Sequence, residues 1–195
     1  MLSFLKNNFP ITPEASEKLK IYIDTLKEWN GRFNLTSFDD DQLWEEVVES
    51  SVIFADTIAD LQPVRSSFNL CDIGSGAGIP GMIIKIVMPD IQVDLIEATG
   101  KKAVFLSEIK KKLGLEGLEI VNKDAREFAL RDKKLYNVAT GRAFGKKFMK
   151  YAFSLVSPEG YVLYYSKKIK KGEFEREPDC VRDYGRASVL IWKNG

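Results

Sequence analysis

The chain has no histidine, only two cysteines, Cys71 and Cys180, and no apolar run of membrane-spanning length. Without histidine it lacks the side chain most often used as a general base near neutral pH. The two cysteines make no metal-ligand spacing, so no metal site is expected. A membrane helix needs roughly 20 consecutive apolar residues. The opening Met1-Leu-Ser-Phe-Leu-Lys6 also lacks the charged region and long apolar core of a signal peptide. A cytoplasmic protein that crosses no membrane is the expectation. With 195 residues, 45% of them apolar, the chain can fill one ordinary core and carry an extension.

Glycine is concentrated at one place. Phe68 to Ile73 reads as a short buried strand, and it runs into Gly74-Ser75-Gly76-Ala77-Gly78-Ile79-Pro80-Gly81. Met82 to Met88 then continues as an apolar stretch with the length of a helix. Strand, glycine loop and helix form the opening unit of a nucleotide-binding α/β sheet, in which a ligand lies against backbone N–H groups at the helix start. A dinucleotide fingerprint needs Gly-x-Gly-x-x-Gly, but here the third glycine, Gly78, comes one residue early. Asp72 just before the loop would repel a pyrophosphate and suits a cationic ligand better. Asp-x-Gly-x-Gly-x-Gly is the pattern of S-adenosylmethionine-dependent methyltransferases, whose ligand carries an ammonium and a sulfonium. The alternative is a tight turn with no ligand.

The chain before the loop reads as helical. Thr12 suits an N-cap and Pro13 a first helical position. Leu19, Tyr22, Ile23, Leu26 and Trp29 recur at helical spacing, and Asn30-Gly31 is expected to end this helix. Asn34 to Ser37 reads as a connector. A second helix is expected from Asp39 or Asp40 to Asp60, with Leu43, Trp44, Val47, Val48, Ser51, Val52 and Ala55 inward. Residues 62–67 break the pattern, so residues 1–66 are expected as an N-terminal helical extension and 67–195 as the main domain. The first 66 residues carry 6 Lys+Arg and 12 Asp+Glu, the remainder 23 and 16. A polyanionic partner is therefore expected on the later part.

Beyond the loop, strands and helices alternate. Val93 to Ile96 is a second strand ending at Glu97, about twenty residues past the loop, where a carboxylate can accept both hydroxyls of a ribose. An exposed strand-end charge is the other reading of Glu97. Gly100 to Leu113 is a lysine-studded helix closed by Gly114. Leu118 to Asn122 is a third strand, and Lys123-Asp124-Ala125-Arg126 follows it over the expected adenine end of a nucleotide. Asp124 is equally readable as a contact to the adenine amino group or as a helix N-cap. Tyr136 to Thr140 is a fourth strand with Gly141-Arg142-Ala143-Phe144 at its carboxyl end, where catalytic residues of such sheets belong. Lys146, Lys147 and Lys150 follow on a helix ending near Ser157-Pro158, then a strand from Tyr161 to Tyr165 and a basic loop, Ser166 to Lys171. That loop, flanked by aromatics, suits phosphate and a base. A last strand spans Ser188 to Trp192, and residues 172–187 give no clear pattern.

These residues resemble the glucose-inhibited division protein B (GidB) family, bacterial 16S rRNA guanine-N7 methyltransferases. The resemblance rests on Trp29-Asn30 through Phe33-Asn34-Leu35-Thr36-Ser37 and on Asp72-Ile-Gly74-Ser-Gly76-Ala-Gly78-Ile-Pro80-Gly81. It continues through Glu97 with Gly100-Lys101-Lys102 and Phe105-Leu106, Arg142-Ala143-Phe144, and Lys167. It implies a Rossmann-like, class I fold with a mostly parallel, seven-stranded-type sheet, helices on both faces and an N-terminal helical extension. It implies methyl transfer from S-adenosyl-L-methionine, leaving S-adenosyl-L-homocysteine, to one guanine in the decoding region of small-subunit rRNA. The partner would be 16S rRNA or the small ribosomal subunit, met by a monomer. Asp72, Gly74, Ser75, Gly76, Gly78, Glu97, Ala98, Asp124, Ala125 and Arg126 would surround the cofactor. Arg142 would lie by both cofactor and target base, and Lys101, Lys102, Lys146, Lys147, Lys167 and Lys168 would touch RNA. The chain departs from the family at Glu45-Glu46, where an Arg-His pair is usual.

The residue inventory agrees with this chemistry. Guanine N7 has a free lone pair and loses no proton on methylation, so no general base is needed, only proximity and an in-line approach. Exocyclic-amine methylation usually goes with a Pro-Pro-aromatic motif, and the chain has no Pro-Pro. Pyrimidine-carbon methylation needs a nucleophilic cysteine; Cys71 lies inside a strand and Cys180 follows Asp179. A small-molecule or protein methyltransferase, and a ribosome-binding protein without catalysis, are the other two readings.

Overall fold

The computed structural model describes residues 10–61, 68–131, 134–142, 148–168 and 172–195. The expected junction at 62–67 and the segment 143–147, with Lys146 and Lys147, lie outside them. Helix α1 (Pro13–Phe33) starts as the sequence suggests: Thr12 caps it, its hydroxyl oxygen accepting the Ala15 N–H at 3.1 Å, and proline follows the cap. It runs past Asn30-Gly31, contrary to expectation. The helix ends instead because Asn34 adopts a left-handed conformation (φ 48°) and its N–H closes on the Asn30 carbonyl. Asn30 serves the connector, its side-chain oxygen accepting the Thr36 N–H at 2.9 Å.

The second helix starts later than expected and begins irregularly. A π-helical turn, Trp44–Glu49, leads into α2 (Ser50–Leu61). The wider turn holds an extra residue, and the Ser50 N–H reaches back to the Glu45 carbonyl. Trp44 thereby leaves the inner face predicted by regular helical spacing and is 43% exposed, while Leu43, Val47, Val48, Val52 and Ala55 are buried.

The sheet consists of β1 (Asn69–Ile73), β2 (Gln92–Ile96), β3 (Leu118–Val121), β4 (Tyr136–Gly141), β5 (Val156–Ser166), β6 (Cys180–Asp183) and β7 (Ser188–Lys193). Its spatial order is β3-β2-β1-β4-β5-β7-β6. The first five strands run parallel, and β7 is antiparallel to both β5 and β6. Alternate residues of each strand serve opposite faces. Leu70, Val93, Leu95, Leu118 and Val138 pack with α1, α2, α3 (Gly81–Val87) and α4 (Gly100–Leu113). Cys71, Ile73, Ile96, Ala139 and Trp192 pack with α5 (Ala125–Arg131) and α6 (Met149–Leu155). The strand unread in the sequence, β6, lies within residues 172–187; as a polar, mostly exposed edge strand it has no buried face to leave a pattern. Among the described residues no helix is long and apolar enough to cross a membrane.

Candidate active site

The glycine loop is built from the carboxyl ends of β1 and β2. The N–H groups of Gly74 and Ser75 both donate to the Ile96 carbonyl, at 2.9 and 3.1 Å, which pins the loop to the end of β2. Gly74 has φ +69° with open space where a Cβ would stand, so the backbone there forms an accessible cradle. Gly78 is different. It has φ +96°, and a Cβ would lie 2.7 Å from Met82 Cβ and 3.0 Å from Leu106 Cδ2. The third glycine lets the loop pack on α3 and α4 and does not line the cleft.

Asp72 was expected to face a cationic ligand, and the structure corrects this. Its carboxylate is fully buried beneath the loop, accepting the Gly81 N–H at 3.0 Å and the Thr140 hydroxyl at 3.2 Å. Burial pushes its pKa up to about 7, against those hydrogen bonds, which favour the charged form. Ser75 is likewise turned inward, its hydroxyl donating to the Asp72 carbonyl. The side chains of Asp72 and Ser75 therefore hold the loop from behind.

Glu97 stands in front of the loop. One carboxylate oxygen accepts the Gly76 N–H at 2.8 Å, the other the Thr99 N–H at 2.7 Å. Glu97 lines a cleft of about 210 Å³ together with Gly74, Ala98, Asp124, Ala125 and Arg142. The structure thus brings together six of the residues singled out for the cofactor, drawn from the ends of β1, β2, β3 and β4. Asp124 caps α5: its carboxylate accepts the Arg126 N–H at 2.9 Å while its side chain stays on the cleft wall. The Arg126 guanidinium bonds back to Asp124 and holds that carboxyl down at about 2. Arg126 does not line the cleft, so the structure does not support it as a direct cofactor contact.

Arg142, just past β4, is only 12% exposed and is held by several partners. Its guanidinium donates to the Ser50 hydroxyl at 2.6 Å, to the Glu46 carbonyl and, at 2.7 Å, to the Glu46 carboxylate. It also lies over the rings of Tyr165, at 4.4 Å, and Phe38, at 5.2 Å. Lys167 pairs with the other oxygen of Glu46. Burial tends to raise the Glu46 pKa, but the hydrogen bonds from Lys167 and Arg142 outweigh it and hold the carboxyl below its ordinary value. The acidic residue standing where the family has a basic pair thus anchors Arg142. Lys101, Lys102 and Lys168 lie outside the cleft, Lys101 and Lys168 exposed and Lys102 half-buried.

Two supporting residues were not singled out from the sequence as parts of the site. The hydroxyl of buried Tyr22 on α1 donates to the Ala77 carbonyl at 2.7 Å and fastens the loop from outside the sheet. The Asn122 side chain donates to the Glu97 carbonyl at 2.7 Å, fixing the end of β2. Helical periodicity marked Tyr22 only as a core position, and nothing local in the sequence marks Asn122.

A glycine cradle after β1, a carboxylate after β2 and this strand order define the Rossmann-like fold of class I S-adenosylmethionine-dependent methyltransferases. Solved structures agree on the fold. An RNA methyltransferase from Salinibacter ruber in complex with S-adenosyl-L-homocysteine superposes with a TM-score of 0.56, at 20% identity, over 72% of this chain and 89% of that one. A putative methyltransferase from Escherichia coli gives 0.58 at 13% identity, over 74% and 84%. At the level of family, residues 15–187 match GidB, rRNA small subunit methyltransferase G. The chain belongs to that family. Proteins named ribosomal RNA small subunit methyltransferase G are 35% identical in Desulfitobacterium hafniense, over 80% of this chain and 64% of that protein. In Neisseria meningitidis the identity is 31%, over 92% and 84%. In Dehalococcoides mccartyi it is 35%, over 91% and 72%.

Proposed function

We propose that this protein transfers a methyl group from S-adenosyl-L-methionine to N7 of a guanine in 16S rRNA, presented as naked RNA or in the small subunit, acting in the cytoplasm as a monomer. One observation carries the reading. The Glu97 carboxylate closes on the Gly76 N–H at the mouth of an open glycine cradle, in a chain matching an rRNA methyltransferase family over residues 15–187.

The residues present fit the cofactor. The space over Gly74 is the room a Cβ would fill. Each Glu97 oxygen accepts a single backbone N–H among the described residues and so keeps a lone pair for a ribose hydroxyl. Ala98 and Ala125 are small enough to border a flat ring, with Asp124 at its edge. When bound, S-adenosyl-L-methionine supplies an electrophilic methyl on a sulfonium. The protein's own task is positional, because the N7 lone pair attacks without giving up a proton. A methylated guanine is cationic, so Arg142 works as a clamp on cofactor or phosphate. Its pairing with Glu46 offsets the positive charge it would otherwise set beside the product.

The test is methyl incorporation from radiolabelled S-adenosyl-L-methionine into undermethylated small subunits, naked 16S rRNA, duplex DNA and protein extract. Label in 16S rRNA at a guanine cleaved after borohydride and aniline is expected. Label confined to DNA or protein, or none despite cofactor binding by calorimetry, would overturn the reading.

A further inference from the structure

A second and larger cleft, of about 490 Å³, opens on the other side of Arg142. Its walls include Glu45, Glu46 and Glu49 from the π-helical turn, Tyr165 and Lys167 at the end of β5, and Arg186 from the turn before β7. It lies where open α/β sheets take their ligands, outside the carboxyl ends of the parallel strands, and its volume suits a small organic group. Arg142 ties it to the cofactor cleft. The residue lines the smaller cleft, while its guanidinium bonds Glu46 and Ser50 and stacks on Tyr165, all on the walls of the larger one.

We propose that this larger cleft seats the target guanine, with the carboxylate of Glu49 accepting the N1–H and N2–H of its Watson–Crick edge. The assignment rests on the methyltransferase reading above. The wall chemistry selects the ligand. Arg142 and Lys167 offset Glu46, and Arg186 offsets Glu45, so the carboxylate left to a ligand is that of Glu49, and what it takes is a group that donates hydrogen bonds. Among the four RNA bases only guanine offers two adjacent donors on its Watson–Crick edge, matching the two oxygens of one carboxylate, which when ionised only accepts. Adenine, cytosine and uracil each place an acceptor beside their donor and meet a carboxylate with repulsion. N7 lies on the opposite edge of the purine, so a base held by N1 and N2 presents N7 away from the carboxylate.

The three glutamates are not equivalent. Glu46 is ion-paired through both oxygens, to Arg142 and Lys167, and Glu45 pairs with Arg186 at 2.8 Å. Among the described residues Glu49 has only a long contact, 3.9 Å to Arg186, and its side chain is 25% exposed. It keeps acceptor capacity and is partly withdrawn from water, where a hydrogen bond to a charged group counts most. The π-helical turn, with its extra residue, sets these three carboxylates along one rim; such turns are frequent at functional sites.

The test uses reconstituted small subunits carrying either guanine or inosine, which lacks the 2-amino group, at the mapped target position. Binding is measured with S-adenosyl-L-homocysteine present, so that no methyl moves, and methyl transfer is measured separately. Wild-type protein is expected to prefer guanine over inosine by about 10-fold or more in both, the loss that goes with one hydrogen bond to a charged acceptor. Glu49→Gln is expected to lower kcat/KM on guanine by about 10- to 100-fold and to abolish the preference. Its affinity for S-adenosyl-L-homocysteine should be unchanged, which shows that it is folded. Equal use of guanine and inosine by the wild type, or a preference that survives in Glu49→Gln, would overturn the guanine seat and leave the methyltransferase reading standing. Wild-type protein that binds cofactor yet labels no ribosomal RNA would overturn both.

Discussion

Removing the Glu46 carboxylate should be costly to the fold while making the surface more attractive to RNA. Glu46 and Arg142 are 13% and 12% exposed, joined at 2.7 Å, with Lys167 on the second oxygen. Breaking a buried pair by deleting one partner costs about 3–5 kcal/mol, because the other charge is stranded. Arg142 would keep the Ser50 hydroxyl, the Glu46 carbonyl and the Tyr165 face, which places Glu46→Gln at the low end, about 3 kcal/mol. At about 2–4 °C per kcal/mol for a chain of this size, the melting temperature should fall by about 6–12 °C. Arg142→Gln alone should cost a similar amount. The double variant should cost less than the sum, by a coupling of about 1–3 kcal/mol. Urea unfolding of the four proteins closes the cycle, and single costs that add to within about 0.5 kcal/mol would refute the pairing. Because the Glu46 carboxyl is held below its ordinary value, its contribution is complete above the unfolded pKa and lost as pH falls through the folded one. The coupling should therefore shrink in acid. With one negative charge gone, RNA binding should tighten and its salt dependence steepen by about one unit of slope.

Tyr22→Phe leaves the Ala77 carbonyl without its buried donor and should cost about 1–3 kcal/mol in urea unfolding. It should also weaken cofactor binding by calorimetry, and unchanged cofactor affinity would mean that α1 does not hold the loop. Gly78→Ala forces a side chain into a left-handed position against Met82 and should lower stability and cofactor affinity together; unchanged stability in urea unfolding would refute the packing role. Asp72, with a pKa raised from 3.8 to about 7, favours the protonated form on folding. Its contribution is therefore present below the unfolded value and lost as pH rises through about 7, by at most about 4 kcal/mol. Asp72→Asn should flatten the stability profile between pH 4 and 7, and an unaltered slope would contradict the burial effect. A fragment of residues 67–195 should fail to unfold cooperatively, since it loses the Tyr22, Leu26, Val48 and Phe54 side chains that are fully buried in the sheet's own core cluster; a sharp urea transition would refute this.

The framework was legible because its signals are local. The glycine run, the acidic strand ends and the alternating apolar stretches announced six of the seven strands and the cradle. Thr12 and Gly114 marked a helix start and a helix end by chemistry that a few residues carry alone. The failures share a cause as well. Asp72 has a cleft-facing reading only if its neighbours leave it exposed, and it is Gly81 at the end of the loop and Thr140, 68 residues on, that hold it inward. Trp44 was misplaced because a regular period cannot foresee a π-helical turn. Strand β6 was missed because an edge strand of Cys-Val-Arg-Asp pairs by backbone alone. Tyr22 and Glu46 act on the site across separations of 55 and 96 residues, and no local pattern encodes that.

The charge asymmetry along the chain takes on another meaning in three dimensions. Counted in sequence, an acidic front and a basic back suggest two surfaces, one repelling RNA and one attracting it. In the structure the two parts face each other. Glu46 meets Arg142 and Lys167, Glu45 meets Arg186, and Asp60 meets Arg182. The exposed Glu45–Arg186 pair contributes little to stability and the buried Glu46–Arg142 pair much more, but both cancel charge locally on the walls of the proposed base cleft. On the proposed function, the cations left to attract a polyanion would be exposed lysines outside these pairs, such as Lys101 on α4 and Lys168 beyond β5. A near-neutral cleft flanked by lysines suits a substrate whose backbone is anionic but whose reacting base ends as a cation, because a strongly positive cleft would resist the product it makes.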